Sequence, residues 1–279
     1  MKKLFTFVLV AIICCLPYGP AALATDSAEV ETLADGEYFA IGSEYYDGWM
    51  DFLSFSVENG IVTAAKWDSL PQSGYELKST LAANGEYSMK GAGAQHEWNE
   101  QVQLFADALV GTPGLSVLNI DDEGKTDAIS GVTISVDGVY SLYKQAIEAG
   151  PQPRGELNDG LYCTEADEYV DGYKEYIAMY VSGGRIVWLN WNAISEDGSE
   201  SKKSLGDSYG MKAESGIGAE WYEQAQAFEN YVIQNQGVDE LSTDDDGTTD
   251  AISGCTMVVS DAAEMTAEVI GMAKTNIND

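Results

Sequence analysis

Asp127-Ala128-Ile129-Ser130-Gly131-Val132-Thr133 returns as Asp250-Ala251-Ile252-Ser253-Gly254-Cys255-Thr256, with one difference in seven positions. The likeness spreads upstream. Glu97-Trp98-Asn99-Glu100-Gln101 matches Glu220-Trp221-Tyr222-Glu223-Gln224, and Tyr87-Ser88-Met89-Lys90 matches Tyr209-Gly210-Met211-Lys212. Tyr45-Tyr46-Asp47-Gly48 matches Tyr169-Val170-Asp171-Gly172, and Asp35-Gly36 matches Asp159-Gly160. The offset stays near 124, too long for the 20 to 50 residue units of a solenoid, so the chain is a domain duplication. The copies meet at Gly150-Pro151-Gln152-Pro153-Arg154-Gly155, a Pro/Gly stretch of linker type. The organisation expected is residues 28–150 and 156–279 as two homologous domains, joined by 151–155.

Each copy carries the same succession of patterns. Residues 52–57 and 61–67 are β-rich runs around Glu58-Asn59-Gly60, and 176–181 and 186–191 flank Ser182-Gly183-Gly184. Both read as hairpins. A helix follows whose apolar residues Trp98, Val102, Phe105 and Leu109 share one face, mirrored by Trp221, Ala225, Phe228 and Val232. The heptapeptide then leads into a last helix, near 136–149 and 262–274, with Ser135 and Ser260 as expected N-caps. The fold class is α+β: two tandem units, each an antiparallel sheet with helices and a motif loop entering a C-terminal helix.

The 279 residues carry 14 Lys+Arg against 46 Asp+Glu, a net charge of −32. Such a surface repels a polyphosphate, so nucleic acid is excluded as a partner. Residues 1–24 read as a secretory signal: Lys2 and Lys3, an apolar run over 4–16, and the small-x-small site Ala22-Leu23-Ala24. Its removal takes two lysines and no acid. The run is too short for a bilayer span, and the residues before Cys14 and Cys15 do not suit lipidation, so the mature chain is expected to be exported without a transmembrane helix. It keeps Cys163 and Cys255, which align with Phe39 and Val132; two gains in one copy predict a Cys163–Cys255 disulfide. There is no C-x-x-C, no P-loop, no G-x-G-x-x-G, and His96 is the single histidine, opposite Ala219 in the second copy. No catalytic residue is assigned.

The chemistry therefore rests on the heptapeptides. A glycine permits a tight turn, and a hydroxyl at the mouth of a helix lies near unpaired N–H groups that favour a phosphate. On these residues the sequence resembles the FMN-binding domain family, marked by D-x-x-S/T-G-A-T, which includes the C subunit of the sodium-pumping quinone reductase and the G subunit of the Rnf complex. Val132 and Cys255 stand where that pattern has alanine. The resemblance covers both halves and implies FMN joined by phosphoester bonds to Thr133 and Thr256, with Asp127, Ser130, Gly131, Asp250, Ser253 and Gly254 as recognition residues. It also implies a separate flavin transferase, an envelope redox donor, an extracytoplasmic acceptor, and a carrier of electrons more than a stand-alone enzyme. Tyr45, Tyr46, Trp49, Trp67, Tyr169, Tyr173 and Trp191 are candidate ring contacts or core residues.

A second reading stays open. Asp244-Asp245-Asp246-Gly247-Thr248-Thr249-Asp250 fits D-x-D-G-x-x-D, and Asp121-Asp122-Glu123-Gly124-Lys125-Thr126-Asp127 nearly does, a spacing that can cage calcium. On that reading the protein is a calcium-stabilised binding or adhesion module without flavin.

Overall fold

Asn59 and Gly60 have φ of 54° and 73°, and Gly183 and Gly184 have 58° and 72°. Two successive left-handed residues match the right-handed twist of flanking strands, so each pair makes a two-residue hairpin turn. The computed structural model describes residues 32–115 and 118–275. In it the first turn joins β2 (Trp49–Glu58) to β3 (Ile61–Pro71), and the second joins β5 (Tyr173–Ser182) to β6 (Arg185–Ser195). With β1 (Gly36–Ile41) and β4 (Gly160–Glu165) they form two antiparallel sheets of order β1-β2-β3 and β4-β5-β6. The repeated Asp47-Gly48 and Asp171-Gly172 make a further turn, in which Tyr46 and Trp49, and Val170 and Tyr173, exchange backbone hydrogen bonds.

The first copy adds helices α1 (Lys78–Asn84), α2 (Trp98–Leu109) and α3 (Asp137–Ala149), and the second adds α4 (Lys202–Leu205), α5 (Trp221–Asn235) and α6 (Ser260–Thr275). This is an α+β fold of two sheet-plus-helix units. Both apolar stripes are core: all eight residues are buried, and Trp67 on Phe105 and Trp191 on Phe228 make equivalent edge contacts, 5.1 and 5.2 Å between ring centres. The expected N-caps differ. Val136 precedes α3, and Ser135 instead donates to the Asp137 carboxylate; Ser260 is itself the first residue of α6. The cause is the preceding glycine turn, whose carbonyl draws the chain back: Val136 N–H donates to Gly124 O at 2.6 Å and Val259 N–H to Gly247 O at 2.8 Å.

Each sheet covers its helices with one face and the other sheet with its second face. Phe52, Leu70 and Leu77 meet Tyr176, Ala178, Tyr180 and Trp188 in an apolar layer between the sheets, and both copies fall in one compact unit. Burial pushes the Tyr176 phenol up to about 12 and raises Tyr180 as well, so both stay neutral. The linker is pinned: Gln152 and Glu37 exchange backbone bonds at 2.8 and 3.0 Å, Gly155 N–H donates to Gly183 O, and Arg154 pairs with Glu37 and Asp159 at 3.2 Å each.

The expected Cys163–Cys255 disulfide is not formed; both cysteines are free. Successive residues of a strand point to opposite faces. Tyr162 faces the helices of its own copy, so Cys163 faces the inter-sheet layer, whereas Cys255 lies in the helix-side core. The sheet stands between them. The expected signal at 1–24 lies outside the described residues. Among the described residues no helix is long and apolar enough to cross a membrane.

Candidate functional site

Thr126 and Thr249 open the motif loops as hydroxyl turns, accepting at 3.2 Å from Ala128 N–H and Ala251 N–H. Gly131 and Gly254 then take φ of 90° and 86°. A Cβ at Gly131 would also come within 2.8 Å of Leu104 Cδ1, the movable end of a side chain, so it is the left-handed backbone that reserves the position for glycine. Val132 and Cys255 plunge into their cores at 5 % and 4 % exposure. Their bulk is absorbed inward, on the side away from the neighbouring threonine. Asp127, Ser130, Thr133, Asp250, Ser253 and Thr256 are exposed, as is Gly254, and Gly131 is half-buried.

One residue in each copy holds the loop. Gln101 of α2 is fully buried, and its Oε1 accepts from Thr133 N–H at 2.8 Å, Thr133 Oγ1 at 3.2 Å and Ile134 N–H at 3.1 Å. Gln224 of α5 does the same for Thr256 N–H at 2.8 Å and Oγ1 at 3.2 Å. The amide orientation is set behind them, Gln101 Nε2 donating to His96 O at 3.1 Å and Gln224 Nε2 to Ala219 O at 3.4 Å. Neither glutamine was singled out from its type. The signal was present in the repeated Glu-Trp-x-Glu-Gln, where a polar residue three positions after the tryptophan falls on the apolar face. His96 stands against this loop, its Nε2 being 3.3 Å from the place of a Cβ on Gly131.

Beside the second motif loop lies a cavity of about 290 Å³, lined by Tyr173, Tyr209, Lys202, Val258 and Met265 among others. Lys202 Nζ stands over the Tyr173 and Trp221 rings at 5.7 and 5.2 Å and pairs with Glu175 at 3.2 Å. The first copy has the same cation-on-aromatic cluster, Lys78 Nζ over Trp49, Tyr87 and Trp98 at 5.7, 4.7 and 4.9 Å. Of the aromatic candidates, Trp49 and Tyr173 join these clusters and Trp67 and Trp191 are core. Tyr46 and Tyr169 are exposed, and Tyr45 accepts from Trp188 across the copies at 3.4 Å.

The acidic loops are turns closed on themselves. Asp121 Oδ1 accepts from Glu123 and Lys125 N–H at 2.9 Å each, and Asp244 Oδ1 from Asp246 and Thr248 N–H at 3.1 and 2.9 Å. These carboxylates face backbone donors. Among the described residues no group of three or more His, Cys, Asp or Glu side chains is arranged to hold a metal ion. Burial pushes the Cys163 and Cys255 thiols up, which makes both poor nucleophiles.

No family model matches the chain. No curated protein matches it either. Solved structures similar to part of it include a Clostridium thermocellum protein determined by solution NMR, 33 % identical over 44 % of this chain and 94 % of that one, with a TM-score of 0.32. A Clostridium perfringens protein determined by crystallography is 22 % identical over 44 % of this chain and 93 % of that one, with a TM-score of 0.34.

Proposed function

We propose that this protein is an exported electron carrier bearing two FMN groups, joined as phosphoesters to Thr133 and Thr256. The observation that carries the reading is the doubled cradle: twice, an exposed threonine follows a left-handed glycine, with its N–H and hydroxyl held by one fully buried glutamine. A hydroxyl presented this way is open to an outside enzyme and fixed in direction. The glutamine oxygen is a neutral amide and no base, so the proton must be taken by the transferase.

The residues present fit the group. The cavity that Val258 lines, two residues after Thr256, is near the lower end of small-molecule sites, about 300 Å³, and its walls set Tyr173, Tyr209, Val258 and Met265 beside the carboxylates of Glu168, Asp171, Glu175 and Asp261. FMN supplies one- and two-electron transfer when bound, and the protein tunes and positions it. Here Tyr173, Tyr209 and Met265 would pack a flat ring, Lys202 would offer it positive charge, and Glu175 would damp that charge. Partners of such a carrier are an envelope donor and an extracytoplasmic acceptor.

The test is denaturing intact mass with a visible spectrum, after co-expression with a flavin transferase. Two FMN increments that survive denaturation are expected, and Thr133→Ala or Thr256→Ala should each remove one. A colourless chain of bare mass despite an active transferase would end the proposal, and a Thr133→Ala variant that kept both increments would end the site assignment.

A further inference from the structure

The two copies part company where α2 lies against β3 and α5 against β6. In the second copy that place is filled from within. Lys203 Nζ is 2.5 Å from Glu229 Oε1 and 2.8 Å from Asn190 Oδ1, and the same Glu229 oxygen accepts from Trp191 N–H at 2.8 Å. Glu229 is 2 % exposed. The three equivalent positions of the first copy are Ser79, Ala106 and Lys66. The equivalence is geometric as well: Ser79 N–H donates to Asp68 as Lys203 N–H donates to Asn192, each at 3.1 Å.

Losing the long side chains at 79 and 106 opens a cavity of about 630 Å³, whose lining includes Lys66, Trp67, Asp68, Asn99 and Ala106. A buried polar atom of that lining, Asn99 Oδ1, has no hydrogen-bond partner. Buried polar atoms are nearly always paired, so it marks a group that awaits one. The register adds a second. Trp67 lies opposite Leu53 as Trp191 lies opposite Ile177, so Trp67 N–H points the same way as Trp191 N–H, and Ala106 has no carboxylate to meet it. Asp68, 1 % exposed, places an anion in the wall, and the half-exposed Lys66 places a cation 3.7 Å from it.

We propose that this cavity binds a small zwitterion of the α-amino acid type. Its carboxylate takes the place of the Glu229 carboxylate, against Trp67 and Lys66. Its ammonium lies against Asp68 and Asn99 Oδ1, displaced from the place of the Lys203 ammonium because Lys66 stands where Asn190 meets that lysine. One copy thus carries as its own side chains the charge pair that the other would take from solution, and nothing in this depends on flavin.

The full chain without flavin is titrated with glycine, L-alanine and L-glutamate by calorimetry and tryptophan fluorescence, with acetate and ethylammonium as single-charge probes. One saturable site is expected for at least one amino acid, tenfold or more tighter than for either single-charge probe. The Ser79→Lys/Ala106→Glu variant, which installs the pair of the second copy, should lose binding. Asp68→Asn, which places in the first copy the amide that Asn192 provides in the second, should weaken it at least tenfold and keeps the test open if the double variant does not fold. No saturable binding by any amino acid, acetate binding as tightly, or unchanged affinity in Asp68→Asn or in a folded double variant would each overturn the proposal.

Discussion

Glu175 of β5 accepts from Trp191 Nε1 at 3.1 Å and from Lys202 at 3.2 Å, whereas Asp51, at the same place in β2, is one methylene shorter and is engaged by Ser69, leaving Trp67 Nε1 without a partner. The same asymmetry recurs at Glu229, whose counterpart is Ala106, and at Lys203, whose counterpart is Ser79. The second copy answers its buried polar atoms with its own side chains, and the first leaves several unanswered. Yet the motif loops are alike, with Gln101 and Gln224 holding Thr133 and Thr256 at the same 2.8 and 3.2 Å. The duplication has diverged in its supports and kept its presented hydroxyls.

The largest effect expected of this difference comes from Glu229→Ala. It strands Lys203 and removes the acceptor of Trp191 N–H, and breaking a buried pair costs about 3 to 5 kcal/mol. Burial raises the Glu229 pKa against the lowering pull of Lys203, so the pair is held together at the expense of solvation. Urea unfolding measures the loss. The first copy already has alanine there and keeps a folded core, so a loss below about 1 kcal/mol would mean that the pair is ornamental in both copies.

Gln101→Ala and Gln224→Ala should be the next largest and should match each other. Each leaves threonine backbone and hydroxyl donors without their acceptor, at about 1 to 3 kcal/mol. Hydrogen exchange at residues 126–134 and 249–257 should speed up locally in the respective variant, and under the proposed function a co-expressed flavin transferase should load the loosened threonine less fully. Unequal losses would show that the two cradles are less alike than their distances, and His96, present beside the first loop alone, would be the first residue to examine.

How much of this was legible in the sequence follows from range. Asn59-Gly60 and Gly183-Gly184 announce hairpins because the φ signs they need are local, and the stripes of α2 and α5 announce a buried face because their period is local. The inter-sheet layer was half legible. The unbroken apolar run at 176–181 is that of a strand buried on both faces, while Phe52-Leu53-Ser54-Phe55-Ser56-Val57 alternates and hides its part in the layer. The disulfide inference failed because co-occurrence in one copy says nothing of which sheet face a residue takes. Gln101 and Gln224 were in plain view within the repeat, but a glutamine gains its meaning only when a loop 32 residues onward folds back to it.

Asp68→Asn tests the comparison through pH. Burial raises the Asp68 pKa above the ordinary carboxylate value, with Lys66 and the Ser79 hydrogen bonds opposing. A carboxyl whose pKa is higher folded than unfolded binds its proton more tightly in the folded chain, so stability falls as pH rises from the unfolded value through the folded one. The first copy bears that cost and the second, with Asn192, does not. The melting temperature of Asp68→Asn should therefore gain on the parent as pH rises through that window and level off above it. Parallel curves at every pH would mean that Lys66 and the hydroxyl and amide donors already cancel the burial.

Asp51→Glu carries the smallest effect and the sharpest question. It gives the first copy the longer carboxylate of the second, which should reach Trp67 Nε1 as Glu175 reaches Trp191 Nε1 and draw Lys78 as Glu175 draws Lys202. It also gives up the bond from Ser69, whose counterpart in the second copy is Ala193. A new indole bond to the carboxylate nets about 1.5 to 3 kcal/mol and stranding the buried Ser69 hydroxyl costs about 1 to 3, so the two nearly cancel and the net change should stay within about 1 kcal/mol of zero. The better readout is the indole N–H resonance of Trp67, which should move downfield and exchange more slowly once paired. An unmoved resonance would show that the orphaned indole already has a solvent partner, and the first copy would then be no less satisfied there than the second.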